Sequence, residues 1–167
     1  MKKRVRLAPL NPEDEGPFTS AARASRKLHA KWVKPPSTPA AFRDKLKHMQ
    51  GTVNLAYCIR RTDNDALVGA VEITQIVRGP FRSAYLGYYA FEGHARQGLM
   101  REGLQQVIRL AFTKLKLHRL EANIQPENIP SIALVRACGF KKEGYSPRYL
   151  RIRGRWRDHE RWAIVAS

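Results

Sequence analysis

The chain has 167 residues, 43% of them hydrophobic, which suits one domain, residues 1–167, around a single sizeable core. Its 31 lysines and arginines outnumber 14 acidic residues, a formal net charge of +17, so an anionic partner is expected: a nucleotide, an acidic protein or RNA, with a solvated basic face as the plainer alternative. Neither a disulfide framework nor a zinc site is expected, since Cys58 and Cys138 show no CxxC or Cys/His spacing, and neither a signal peptide nor a membrane span, since no apolar run is long enough; a reduced cytoplasm is the expected setting.

Val5 to Leu10 reads as a first strand. Pro12-Glu13-Asp14-Glu15 makes an acidic first turn for a helix running toward Trp32, and Pro35-Pro36-Ser37 breaks the chain. Thr38 is an N-cap with Pro39 at the first helical position, and Phe42, Leu46 and Met49 share one face of the short helix that follows. From Val53 the period becomes two. Leu55, Tyr57 and Ile59 alternate, Thr62-Asp63-Asn64-Asp65 turns, and Ala66 to Val77 returns as the hairpin partner. Arg78-Gly79-Pro80 turns again, into a fourth, aromatic-rich strand over Ser83 to Phe91.

The most informative stretch runs from Tyr85 to Phe140. Gly93-His94-Ala95-Arg96-Gln97-Gly98-Leu99-Met100 opens directly into a helix on which Leu104, Val107, Ile108, Ala111, Phe112 and Leu115 fall at helical spacing. The unpaired amides and positive dipole end at the start of that helix suit a phosphate-bearing cofactor. His118 to Gln125 alternates as a strand, and the strand-helix-strand order favours parallel pairing with the fourth strand. A second helix opens at Asn128-Ile129-Pro130-Ser131 and closes at Gly139-Phe140, after which Lys141 to Ser167 forms two strands turning at Arg153-Gly154. His29, His48, His94, His118 and His159 lack the spacing of a metal pair.

Gly98-Leu99-Met100, Asn128-Ile129-Pro130-Ser131 and Gly139-Phe140, in this order, resemble the GCN5-related N-acetyltransferases (GNAT) over nearly the whole chain. Val77-Arg78-Gly79, Tyr85-Leu86-Gly87-Tyr88, Lys142-Glu143-Gly144-Tyr145 and Trp156-Arg157-Asp158-His159 look like the ribosomal-protein alanine N-acetyltransferase branch, the RimJ/RimL group. The resemblance implies an α+β (mixed α/β) fold. Its mostly antiparallel sheet of about seven strands would splay between strands four and five and be flanked by about four helices, with acetyl-CoA wedged in the opening. By the same resemblance the pantetheine arm pairs with backbone around Tyr89, Ala90 and Phe91, the pyrophosphate takes amides of Arg96, Gln97, Gly98, Leu99 and Met100, and Asn128 holds the pantetheine portion or serves only as a helix cap. The loop departs from the family pattern at Ala95, at Met100 and at Arg96, whose guanidinium either contacts a phosphate or is a solvated surface group.

Acetyl transfer from a thioester to an amine needs a neutral amine, donors for the oxyanion and stabilisation of the departing thiolate. Backbone amides near Ala90 and Phe91 are the natural oxyanion donors. The tyrosine that many family members carry seven residues after the asparagine is here Val135, and the RimJ/RimL pattern assigns the thiolate to Ser131, with a local helix-start role as the alternative. An α-amine with a pKa near about 8 needs only modest help from a base. Glu72, Glu121 and Glu143 are the candidate relays, though each reads first as a surface ion-pair partner, and none is named as the base. His94 and His159 stay unassigned. The expected acceptor is the N-terminus of a ribosomal protein, with small-molecule amines or antibiotics as the alternative and a noncatalytic RNA- or ribosome-binding module as a third reading. Arg148 to Arg157, basic and aromatic, either contacts ribosomal RNA or forms an exposed hairpin face with Trp156 and Trp162 as core or groove walls; oligomeric state is left open.

Overall fold

The computed structural model describes residues 2–167. The period-two segments build one sheet from β1 (Val5–Pro9), β2 (Leu55–Arg61), β3 (Leu67–Val77), β4 (Ser83–Ala90), β5 (Arg119–Ile124), β6 (Lys141–Ile152) and β7 (Arg155–Val165). Their spatial order is β1-β2-β3-β4-β5-β7-β6. Every neighbouring pair is antiparallel except β4 and β5, which run parallel because the helix between them carries the chain back across the sheet. The helices are α1 (Glu15–Ala24), α2 (Arg26–His29), α3 (Pro39–His48), α4 (Leu99–Thr113) and α5 (Ile129–Ala137).

The helix expected to run from the acidic turn toward Trp32 is divided at Ser25, which adds α2 to the four helices expected. The buried Ser25 hydroxyl donates to Ala21 O at 2.7 Å and accepts the Glu92 amide at 2.8 Å. It thereby turns the chain and ties it to the segment just beyond β4. Thr38 caps α3 as expected, its hydroxyl accepting the Ala41 amide.

The sheet separates two cores. On one side Leu104, Val107, Ile108 and Ala111 of α4 pack over Val5, Ile59 and Ile73, and on the other Phe18 of α1 and Phe42 and Leu46 of α3 cover Ala56, Cys58, Ala70 and Phe91. A Cβ added to Gly103 would lie 2.4 Å from Ile59 Cδ1, so α4 sits on β2 at a distance that only glycine permits.

The middle of the sheet is open. β4 pairs with β5 only over Ser83 to Tyr85 against Arg119 to Glu121. Beyond Tyr85, β4 stays paired with β3 as far as Ala90, and β5 stays paired with β7 as far as Ile124. Each half is held by its outer neighbour, and the inner edges part.

Candidate active site

The loop before α4 ends at Gly98, in the left-handed region at φ 73°, and no side chain caps the helix. Its first amides therefore have no partner within the helix and point out of it with the positive dipole end. Arg4 clamps this turn from β1, donating from Nη1 to Gln97 O at 3.0 Å, while Glu102 in the first turn accepts the Arg4 amide at 2.7 Å and the Val5 amide at 3.3 Å. Arg96 and Gln97 are exposed, Gln97 donating to Gly93 O; Leu99 is buried beneath them and Met100 turns into the cleft.

Leu28, His29, Trp32 and Val33 on one wall, Tyr88, Tyr89 and Ala90 on the second, and Met100, Asn128, Pro130, Ser131 and Leu134 on the third enclose a cavity of about 190 Å³. Backbone alternation decides which β4 groups face it. The Phe91 amide donates to Val68 O at 2.8 Å, so Tyr89 and Phe91 direct their backbone toward β3, while Tyr88 and Ala90 direct theirs to the open edge. The backbone role expected at Tyr89, Ala90 and Phe91 is thereby narrowed to Ala90 with its neighbour Tyr88: the Phe91 amide is engaged and its ring lies in the core. The Ala90 carbonyl accepts a hydrogen bond from His29 Nε2 at 2.6 Å, which fixes the proton on that nitrogen and leaves Nδ1 buried without a partner. Burial, reinforced by Arg153 and opposed by the Ala90 carbonyl and Glu92, lowers the His29 pKa and keeps the ring neutral.

Asn128 caps α5, its Oδ1 accepting the Ser131 amide at 3.4 Å. Ser131 Oγ stands 2.7 Å from the Tyr88 hydroxyl, which also reaches Ser131 O at 3.2 Å. Burial pushes the Tyr88 phenol well up against the opposing effect of this bond, so it remains a protonated donor. Val135 is fully buried in the core and faces no cleft. On the far side of Tyr88 and Ser131 lies a second gap of about 160 Å³, lined by Leu86 and Gly87 of β4, Ala122 to Ile124 of β5, and Leu150, Ile152 and His159 of the β6–β7 hairpin. Trp32, Val33, Tyr88, Asn128 and Ser131 belong to both spaces. The parted strands thus form a passage with two hydroxyls at its waist.

The carboxylates weighed as bases are all ion-paired: Glu72 with Lys45 at 2.7 Å, Glu121 with Arg119 at 2.8 Å, and Glu143 with Arg119. His94 lies on the loop outside the cavity, whereas His159 is buried against the second gap with Nδ1 on Arg157 O at 2.9 Å. Trp162 is a core residue, as one reading of the tail allowed, but Trp156 is 61% exposed and walls neither space. His29, Trp32 and Val33 carry no signature in the sequence, and Tyr88 lies in a segment of the family resemblance that assigned it no role. Strand parity was the available signal for Tyr88, since Ala84, Leu86 and Tyr88 share the α5 side of β4.

An uncapped helix start beside a parted parallel strand pair sets an anion site next to an open sheet edge, and the chain belongs to the acetyltransferase (GNAT) domain family, which it matches over residues 4–141. It is 39% identical over 102 residues to the probable N-acetyltransferase YjcK of Bacillus subtilis, covering 61% of this chain and 56% of that protein. It is 38% identical over 118 residues to the [ribosomal protein uS5]-alanine N-acetyltransferase of Escherichia coli, covering 71% of this chain and 60% of that protein. The match therefore spans less than two thirds of the length of these curated relatives. The solved structure of Mycobacterium smegmatis RimJ in complex with CoA-disulfide superposes with a TM-score of 0.89 at 28% identity, covering 97% of this chain and 82% of that one.

Proposed function

We propose that the protein transfers the acetyl group of acetyl-CoA to an α-amino group, most specifically the N-terminus of a ribosomal protein, in the cytoplasm. The observation that carries this reading is the passage through the sheet, with one opening beside the uncapped α4 and the Tyr88–Ser131 pair at its waist. The ribosomal acceptor rests on the uS5-alanine N-acetyltransferase relative.

Acetyl-CoA supplies the activated acyl carbon. The residues present fit it: the α4 amides from Gly98 onward are free for a pyrophosphate, the open β4 edge at Tyr88 and Ala90 offers backbone pairing to an amide-rich arm, and Asn128 lines the same cavity. Arg96 flanks the pyrophosphate site and Leu99 anchors it from below. The Ala90 amide, held in place because His29 fixes the adjoining carbonyl, is the donor that stabilises charge on the acyl oxygen. Ser131 donates its hydroxyl to the departing sulfur; with that proton committed, the Tyr88 hydroxyl 2.7 Å away is left as the donor of their shared bond and strengthens the serine as a donor. Glu72, Glu121 and Glu143 are ion-paired, and the acceptor proton leaves to water, as an amine with a pKa near about 8 allows. Calorimetric titration with acetyl-CoA, followed by mass spectrometry of N-terminal peptides, tests this. Saturable binding near one equivalent and an added acetyl group on the α-amine are expected; absence of acetyl-CoA binding rejects the reading and leaves the noncatalytic RNA-binding alternative.

A further inference from the structure

The second gap, which Leu86, Ala122 and Leu150 line, shares walls with a neighbouring space. Trp32, Gln125 and Ile152 border both the gap and a wider depression of about 460 Å³, whose remaining walls are Ala30, Lys31, Glu127, Arg153 and Arg157. Hairpin register places further charge here. Leu150 pairs with Arg157 and Ile152 with Arg155, and cross-strand partners share a face, so Arg155 and Arg157 stand on the side of the hairpin whose apolar residues line the gap. Arg153 leaves the turn at φ 49° and donates to Val33 O at 3.2 Å, which draws it back over the α2 side of the mouth beside Arg26 and Lys34. Lys31, Arg153, Arg155 and Arg157 are exposed and, among the described residues, form no ion pair; Glu127 is the lone carboxylate on that wall.

We propose that the acceptor is a peptide N-terminus followed closely by acidic side chains, its α-amine passing into the narrow gap and its carboxylates lying in the depression among Lys31, Arg153 and Arg157. The proposal rests on the acetyl-transfer reading above and names its substrate class. The two volumes favour a peptide over a free amine: the gap admits an amine with one small side chain, and the depression beyond it takes the residues that follow. Charge favours an acidic one. Unpaired cations at a cleft mouth raise the local concentration of anionic ligands and repel a polyamine or a lysine-rich terminus.

The test compares kcat/KM on peptides that share the first residue and carry aspartate and glutamate, serine and glutamine, or lysine at the next positions, with spermidine as a free polyamine. The acidic peptide is expected to exceed the neutral one by about tenfold or more, chiefly through KM, and the advantage should shrink as salt screens charge over about 10 Å. Lys31→Glu combined with Arg157→Glu is expected to abolish the preference and improve the lysine peptide, a swap that a merely damaged structure does not produce. A single Lys31→Glu variant shows the same direction if the pair folds poorly. Equal kcat/KM on acidic and neutral peptides overturns the acidic acceptor while leaving acetyl transfer standing, as does faster spermidine turnover. Acetyl-CoA binding with no peptide or amine acetylated overturns acetyl transfer and the acceptor together. Tight single-stranded RNA binding that displaces a dye-labelled acidic peptide supports an anionic mouth only if the acidic peptide is also the better substrate; otherwise it overturns the proposal.

Discussion

Ser131 and Tyr88 are coupled by a 2.7 Å bond, so their substitutions should not add. Ser131→Ala is expected to lower kcat by about tenfold to a hundredfold, the scale of removing one donor from developing charge, with acetyl-CoA affinity almost unchanged. Tyr88→Phe should cost less, and the double variant should be no slower than Ser131→Ala alone, because Tyr88 acts through the serine; steady-state kinetics and calorimetry check all three. That Asn128 and Ser131 open one helix was legible in the sequence, whereas the roles proposed for them rest on the family resemblance. His29 was not legible: it meets Ala90 across 61 residues, and only the turn at Ser25 brings them together. The folded state holds His29 neutral with a pKa below 6.5, mainly by burial. A lowered value means that its stabilising contribution is complete above about pH 6.5 and is lost as pH falls through the folded value. His29→Gln keeps a donor for Ala90 and removes the titration. Between about pH 7 and 5 the parent's melting temperature should therefore drop more than the variant's.

At the scale of elements, strand parity and helix period were readable wherever one face is buried. That is why the seven strands, the parallel β4–β5 pair and the Arg153-Gly154 turn follow from pattern. The break between α1 and α2 was not readable, since it depends on a hydrogen bond to a distant strand end. How far β4 and β5 part was not readable either, because pairing length depends on what each strand does with its other neighbour. The seating of α4 gives two tests. Gly103→Ala gains about 1 kcal/mol of helix propensity but sets a methyl 2.4 Å from the buried Ile59, and overpacking at about 1–3 kcal/mol wins; a lower urea midpoint is expected. Glu102 joins α4 to β1. Burial raises its pKa, but the Arg4 and Val5 amides and the Arg4 guanidinium outweigh burial and hold the carboxyl below its ordinary 4.5. This contribution is complete above about pH 4.5 and fades as pH falls through the lower folded value, so Glu102→Gln should flatten the acid limb of the stability curve.

Across the whole molecule, the charge is excess rather than network. Of the 14 acidic residues many are already engaged, Asp14 with Arg60 and Asp65 with Arg6 and Arg60 among them, which leaves most of the 31 basic side chains facing solvent. The β6–β7 hairpin concentrates them at the sheet edge, and its two sides differ. The inner side carries Arg155 and Arg157 with the gap-lining residues, whereas on the outer side Arg151 stands opposite the exposed Trp156. A cation beside an exposed indole is what single-stranded RNA contact uses, phosphate for one and base stacking for the other. If the outer side binds RNA, affinity for a single-stranded oligonucleotide should fall steeply and linearly in log salt, and Trp156→Ala should weaken it by about 1–3 kcal/mol without changing kcat on a peptide. A salt response that is flat, or a Trp156→Ala variant that binds RNA as well as the parent, assigns the outer side to solvent. The two sides are separable because the strand period of two places successive residues on opposite faces. Exchanging Arg151 and Trp156 should therefore leave peptide preference intact, while exchanging Arg157 should alter it and leave stacking intact.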